Sequence, residues 1–180
     1  MITKEQQQIW LSKGYDPSTF LHRDLLVSIV AKHAQFETLI DVGCSTGPDL
    51  ALYELVFPNA KLTGFDVNAG DVEIARGKLA SDFTTKVYHA DLRQHLLELP
   101  DKSFDIVVSN GVMMYNDSQL LKELPRIAKR AVILSERDQY KGGRIAGYLE
   151  ECNIPFKATK ITKEIRHSWA DDGYIYEITL

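Results

Sequence analysis

Five short runs rich in apolar and β-branched residues recur along the chain, and each has a polar residue at or next to its end. They are "TLIDV" (Thr38 to Val42), "AKLTGFDVN" with its strand ending at Asp66, "TKVYHADL" ending at Asp91, "SFDIVVSNG" and "RAVILSERD". Helix-forming sequence alternates with them: "GPDLALYELV", whose Pro48 suits a first turn, "NAGDVEIARGKLAS" with Asn68 as its cap, and "DSQLLKELPRIAKR". Strands and helices at this spacing predict a parallel sheet covered on both faces, because each crossover must lay its helix back over the sheet. The expected fold is therefore α/β, doubly wound and Rossmann-like. Pro125 breaks a local rule inside the last of those helices. It removes a backbone hydrogen bond at a cost of about 3 kcal/mol, which predicts a kink or an early end.

The flanks differ from this rhythm. Leu21, Leu25, Leu26, Ile29, Val30 and His33 repeat at the spacing of one helical face, so "STFLHRDLLVSIVAKHA" reads as an amphipathic helix capped by Ser18 or Thr19. After a further helix, "KGGRIAGYLEECN", the stretches "FKATKITKEIRHSW" and "GYIYEITL" alternate polar and apolar residues around "ADDG". That is the pattern of an antiparallel hairpin, which brings the sheet to seven strands, mostly parallel. Lys157, Lys160, Lys163 and Arg166 in its first arm are charges of the kind that protect an exposed sheet edge. Tyr174, Tyr176, Ile178 and Leu180 share one face of the second.

With 180 residues and no linker or repeat, the chain reads as one domain over 1–180, with residues 1–35 forming a lid segment and helix on a core of 36–180. The formal net charge of −4, without a long basic run, does not favour nucleic acid as a partner. No segment resembles a signal peptide or a membrane span, so a cytoplasmic protein without membrane contacts is expected. Cys44 and Cys152 form neither a metal cluster nor a disulfide framework, and both read as free thiols; no metal site is expected. The oligomeric state is left open.

In an open α/β sheet, ligands sit beyond the carboxyl ends of the strands, near the point where strand order reverses. Polar or bare residues stand at four such ends here: Asp41 and Gly43 to Gly47, Asp66, Asp91, and Ser109 to Gly111. The first is the barest, and glycines there would let backbone N–H groups be presented to a ligand at close range. A nicotinamide-binding Rossmann domain would explain part of this, since Asp66 stands 23 residues beyond Gly43. Its G-x-G-x-x-G spacing, however, would place Ser45 and Pro48 at the second and third glycines. It also leaves Asp91 and "SNG" without a role.

The combination resembles the class I S-adenosylmethionine-dependent methyltransferases, from about Thr19 to Leu180. "DVGCSTG" is similar to that family's first motif, with Ser45 in place of its middle glycine; "GFDVN" resembles its second-strand end, "HADL" its adenine segment and "FDIVVSNGVMMY" its fourth-strand motif. The resemblance implies S-adenosylmethionine as cofactor and S-adenosylhomocysteine as product. It implies backbone of Gly43, Cys44 and Gly47, with Ser45, around the methionine part, and Asp41 near its ammonium group. Asp66 would accept the ribose hydroxyls beside Val67, and Asp91 the adenine amino group beside Leu92. Asn110 and Gly111 would close over the methionine part. In this family the Cys44 position contributes backbone rather than a nucleophile.

The methyl acceptor is less legible. "SNGV" lacks the two prolines of methyltransferases that act on base or glutamine amino groups, and with the acidic balance this favours a small-molecule acceptor. Tyr115 and His22 are the first candidates to touch it. Trp10, Tyr15, Arg23, Met114, Glu136 and Arg137 are further pocket candidates, and His167 and Trp169 more distant ones. A non-catalytic cofactor-binding module, or a subunit whose partner completes the site, is the competing reading.

Overall fold

The computed structural model describes residues 2–33, 35–79, 84–113, 118–137, 144–162, 165 and 173–180. Its seven strands are β1 (Thr38–Val42), β2 (Lys61–Asp66), β3 (Thr85–His89), β4 (Phe104–Asn110), β5 (Ala128–Arg137), β6 (Lys157–Ile161) and β7 (Gly173–Thr179). They form one sheet in the order β3-β2-β1-β4-β5-β7-β6. The first five pair in parallel, whereas β7 runs antiparallel to both β5 and β6. Strand order therefore reverses between β1 and β4, whose carboxyl ends lie side by side with Val42 opposite Ser109.

Period-two alternation assigns the strand residues to two cores. Leu39, Ile106, Val108, Ala131, Ile133 and Ile175 face one cluster, and Ile40, Val107, Val132, Leu134, Tyr176 and Ile178 the other. Against the first pack α1 (Lys4–Ser12), α2 (Phe20–Val30), α3 (Pro48–Val56) and α4 (Ala69–Lys78). Against the second pack α5 (Leu92–Glu98), α6 (Ser118–Ile127) and α7 (Arg144–Glu151).

Two helices lie where the sequence reading has none. Thr3 and Gln6 form a capping box that starts α1: Thr3 Oγ1 accepts from the Gln6 N–H at 3.1 Å, and Gln6 Oε1 accepts from the Thr3 N–H at 2.9 Å. The T-x-x-Q spacing is its sequence signal. Asp91 starts α5, its Oδ1 accepting from the N–H groups of Arg93 and Gln94 at 2.9 and 3.3 Å, so β3 ends at His89 and not at Asp91. The cap before α2 also differs. Thr19 stands at the N-cap position of α2 but makes no side-chain cap bond; the side-chain cap is Asp16, which accepts from the Ser18 N–H at 2.9 Å and opens a 3₁₀ turn at Pro17–Thr19 that leads into the helix. Pro125 lies within α6, which stops two residues later at Ile127 and passes directly into β5. The exposed Lys157 and Lys160 lie on β6, an edge strand, while Lys163 and Arg166 are outside the described residues.

At the amino end of the sheet, Asp105 joins β4 to the entry of β1. Its Oδ2 accepts from the N–H groups of Glu37 (2.7 Å) and Thr38 (3.1 Å), and Lys129 Nζ lies 3.4 Å from Oδ1. Burial pushes the carboxyl up, but these donors and the lysine outweigh it and hold the group below the usual carboxylate range. Asp105→Ala is expected to cost about 2–3 kcal/mol of stability near neutral pH. A group held low in the native state stabilises it fully above its unfolded pKa and loses that contribution as the pH falls. The gap between variant and wild type in urea unfolding should therefore narrow below about pH 4. A gap of constant size across that range would mean that the charge of Asp105 is not responsible.

Candidate functional site

The turn after β1 is left-handed three times, at Gly43 (φ +78°), Ser45 (φ +48°) and Gly47 (φ +80°). A Cβ at Gly43 would stand 2.4 Å from Val112 Cγ2, so only glycine allows the loop after β4 to close against it. The expectation that this turn presents its N–H groups to a ligand is corrected by where they point. Those of Gly43 and Cys44 both donate to Phe65 O, at 2.9 and 3.0 Å, that of Gly47 donates to Cys44 O at 3.0 Å, and that of Ser45 donates to Asp66 Oδ2 at 2.9 Å. Four of the turn's N–H groups, those of Gly43, Cys44, Ser45 and Gly47, are thus spent on the protein itself.

Beyond the turn lies a cavity of about 330 Å³. Of the residues singled out in the sequence, Gly43, Asp66, Val67, Asp91, Leu92 and Gly111 line it, so the ends of β1, β2 and β4 and the start of α5 converge there. Phe65, Ala90, Arg93 and Val112 complete the lining and were not foreseen. They are the immediate neighbours of foreseen positions, which is the signal that could have found them. Asp41, Cys44, Ser45, Gly47 and Asn110 are not part of this lining.

Asp66 binds the N–H of Asn68 through Oδ1 (2.9 Å) and that of Ser45 through Oδ2. A carboxylate has about two acceptor sites per oxygen, so one on each remains for a ligand hydroxyl. Asp91 caps α5 through Oδ1 and also lines the cavity. Ser45 turns its hydroxyl to Asp71 Oδ2, 3.1 Å away, where the family motif has a bare glycine.

A buried polar cluster lies behind the turn. Arg23 Nη1 donates to Asp49 Oδ1 at 2.6 Å, and Asn110 Nδ2 donates to Asp49 Oδ2 at 2.8 Å. Burial raises the Asp49 carboxyl, but the charge of Arg23 and the two hydrogen bonds prevail and hold it low. Asp41 is in the opposite condition. Its Oδ2 has no hydrogen-bond partner among the described residues, and burial, reinforced by Asp49, pushes its carboxyl well above the ordinary range. The Cys44 thiol is pushed up by burial and by Asp41, which keeps it protonated and unreactive.

The candidates for the acceptor side fall differently. His22 is fully buried, with Nε2 2.6 Å from Ser135 Oγ, and is not part of the cavity lining. Tyr115, Met114, His167 and Trp169 lie outside the described residues, as does the side chain of Arg137. Glu136 accepts from the N–H groups of Val112 and Met113 at 3.1 and 2.9 Å and thereby holds the loop after β4. Trp10 and Tyr15 pack against the outside of the β1–α3 turn: Trp10 Nε1 donates to Pro48 O at 2.8 Å, and the Tyr15 hydroxyl lies 3.2 Å from Gly47 O. No group of three or more metal-capable side chains occurs among the described residues, and no helix among them is long and apolar enough to cross a membrane.

The family model described as a methyltransferase domain matches residues 39–131, from β1 into β5. The chain belongs to the class I S-adenosylmethionine-dependent methyltransferases. Two curated members of this kind match parts of it. A ribosomal RNA small subunit methyltransferase C of Buchnera aphidicola is 25% identical over 114 residues, and a malonyl-[acyl-carrier protein] O-methyltransferase of Priestia megaterium 26% identical over 80. These alignments cover 60% and 44% of the present chain, but only 32% and 28% of the relatives' own length. The crystal structure of a SAM-dependent methyltransferase from Aquifex aeolicus shares the fold with a TM-score of 0.68 at 19% identity, over 97% of this methyltransferase and 98% of that chain. The cofactor of the family is S-adenosylmethionine.

The Arg23–Asp49 pair separates two sources of stability in this methyltransferase. Arg23→Met leaves a carboxylate buried without its cation and should cost about 3–5 kcal/mol in denaturant unfolding, whereas Arg23→Met with Asp49→Leu should recover much of that loss. A double variant no more stable than the single one would show that the hydrogen bond Asp49 accepts from Asn110 outweighs the charge balance of the pair.

Proposed function

We propose that this methyltransferase transfers the methyl group of S-adenosylmethionine to a small-molecule acceptor. The observation that carries the reading is the single cavity that gathers Gly43, Asp66, Asp91 and Gly111 from separate strand ends. Asp66 accepts the ribose hydroxyls on its remaining lone pairs, and Asp91 accepts the adenine amino group. Val67 and Leu92 bracket the ring, and Gly111 borders the chain that leads to sulfur. Asp41, with an unpartnered buried oxygen, suits the ammonium end. Cys44, Ser45 and Gly47 act by shaping the wall, and Asn110 acts through Asp49.

The sulfonium supplies a methyl group that is already electrophilic. The protein therefore has to aim an acceptor lone pair along the C–S axis and exclude water, and positioning of that kind is worth several kcal/mol. As the new bond to carbon forms, the C–S pair returns to sulfur and S-adenosylhomocysteine leaves. An oxygen acceptor would also lose a proton, and Tyr115, in the connection from β4 to α6, is the group proposed to meet it. His22 takes a place behind the site through Ser135. The acceptor class rests on the net charge of −4 and on the absence of paired prolines after Asn110. One relative is named for ribosomal RNA and the other for malonyl-[acyl-carrier protein], so the small-molecule reading does not come from these two relatives. A single domain over 1–180, in the cytoplasm with both thiols free, completes the proposal.

One observation favours a second reading, a cofactor-binding subunit completed by a partner. Among the described residues, none from 2–33 lines the cavity, which leaves room for a partner to cover it. Calorimetry with S-adenosylmethionine and S-adenosylhomocysteine, followed by a radioactive transfer screen across acceptor classes, separates the two. Binding with transfer to a small molecule supports the leading proposal, and binding without any transfer supports the second. Asp66→Ala should weaken either ligand by about 1–3 kcal/mol, because hydrogen bonds to an ionised group are lost. Unchanged affinity would remove Asp66 from the site.

A further inference from the structure

Tyr15 lies outside the cavity, yet its contacts lead into it. Its ring stacks on Trp10 with centroids 5.1 Å apart, and Lys78 Nζ sits 4.4 Å from the ring centre on α4. Lys13, two residues earlier, donates to Lys78 O at 2.7 Å, so the segment joining α1 to α2 is fastened to the end of α4. From this fixed position the Tyr15 hydroxyl is shared between Thr46 O at 3.3 Å and Gly47 O at 3.2 Å, and Trp10 Nε1 takes the next carbonyl, Pro48 O. Three successive carbonyls of the β1–α3 turn are thus held from outside by two side chains of the N-terminal segment. Burial, with Glu54 nearby, pushes the Tyr15 phenol up, so it stays a donor across the working pH range.

The residue just before those carbonyls is Ser45, a non-glycine at φ +48°. A left-handed conformation of this kind costs of order 1 kcal/mol and persists only where its surroundings fix it. Its N–H is the donor to Asp66 Oδ2, and its hydroxyl donates to Asp71. Tyr15 thus holds the carbonyl next to Ser45, and Ser45, with the Asn68 N–H on the other oxygen, holds the carboxylate that faces the cavity. We infer that Tyr15 is a positioning residue for ligand binding, acting through Ser45 to hold Asp66 in its ribose-binding orientation. The N-terminal segment serves as a brace on the outer side of the cofactor wall. This inference rests on the reading of the cavity as the S-adenosylmethionine site.

A double-mutant cycle with Tyr15→Phe and Asp66→Ala, read by calorimetric titration of S-adenosylhomocysteine into the full chain, tests it. Tyr15→Phe keeps the ring against Trp10 and under Lys78 and removes only the hydroxyl. It should weaken binding about threefold to tenfold, the range set by losing one neutral hydrogen bond. In the Asp66→Ala background the same change should have no measurable effect, because the group it orients is gone. Loss of thermal stability without loss of affinity, or equal losses in both backgrounds, would overturn the inference while leaving the cofactor reading intact. Failure of the wild-type chain to bind S-adenosylhomocysteine would overturn the cofactor reading itself, and the inference with it.

Discussion

Phe65 O accepts from the N–H groups of both Gly43 and Cys44, and this shared carbonyl locks the carboxyl ends of β1 and β2 together beyond their last ladder pair, Val42 with Phe65. Both strands are inside the sheet, where an unpaired backbone group is costly, so the chain leaving β1 must satisfy its donors at once. It does so by turning left-handed at Gly43, which brings the next residues over the end of β2 and sets the Ser45 N–H against Asp66. The close approach of Val112 to Gly43 follows from the same turn, since no side chain stands between the β4 loop and the β1 backbone. Cavity, acidic residue and loop are thus placed by one requirement of main-chain hydrogen bonding.

Much of this was legible because parallel strands are buried on both faces and read as apolar runs that end where the sheet ends. The five parallel strands and the hairpin are found where those runs occur, and β5 begins two residues earlier than its apolar run because Pro125 shortens α6. What the periodicity could not show were α1 and α5. The first is largely polar and held by capping and by Trp10, and the second is a seven-residue helix with a single buried residue, Leu96. In both, the cap carried the signal and the hydrophobic pattern did not.

The site was legible in the same uneven way. Strand ends are fixed by register, so Gly43, Asp66 and Gly111 could be expected to meet from spacing and family motif together, with Asp91 two residues beyond the end of β3. His22 could not be placed, because α2 is apolar on more than one side and a histidine on it can face either solvent or core; the structure turns it to Ser135, 113 residues away in the chain. Asp49 likewise reads as an ordinary first-turn acid, favourable near a helix N-terminus. Its role as the meeting point of Arg23 and Asn110 depends on contacts 26 and 61 residues distant, which no local pattern encodes.

The charges behind the wall bear on which ligand the site prefers. Arg23 is committed to Asp49 at 2.6 Å, so it offers Asp41 only partial compensation, and Asp49 itself works against ionisation of Asp41. Ionising both acids would leave the cluster with one more negative than positive charge in a place that water does not reach, and burial resolves this by favouring the protonated form of Asp41. A cation arriving beside the free oxygen reverses the balance, since it stabilises the carboxylate that burial penalises. Neither acid lines the cavity, so a ligand there would meet their charge through the lining and not by contact. On the proposed reading, the ammonium and sulfonium centres of S-adenosylmethionine carry the sign of charge that an ionised Asp41 can balance, whereas the pyrophosphate of a nicotinamide dinucleotide carries the opposite sign.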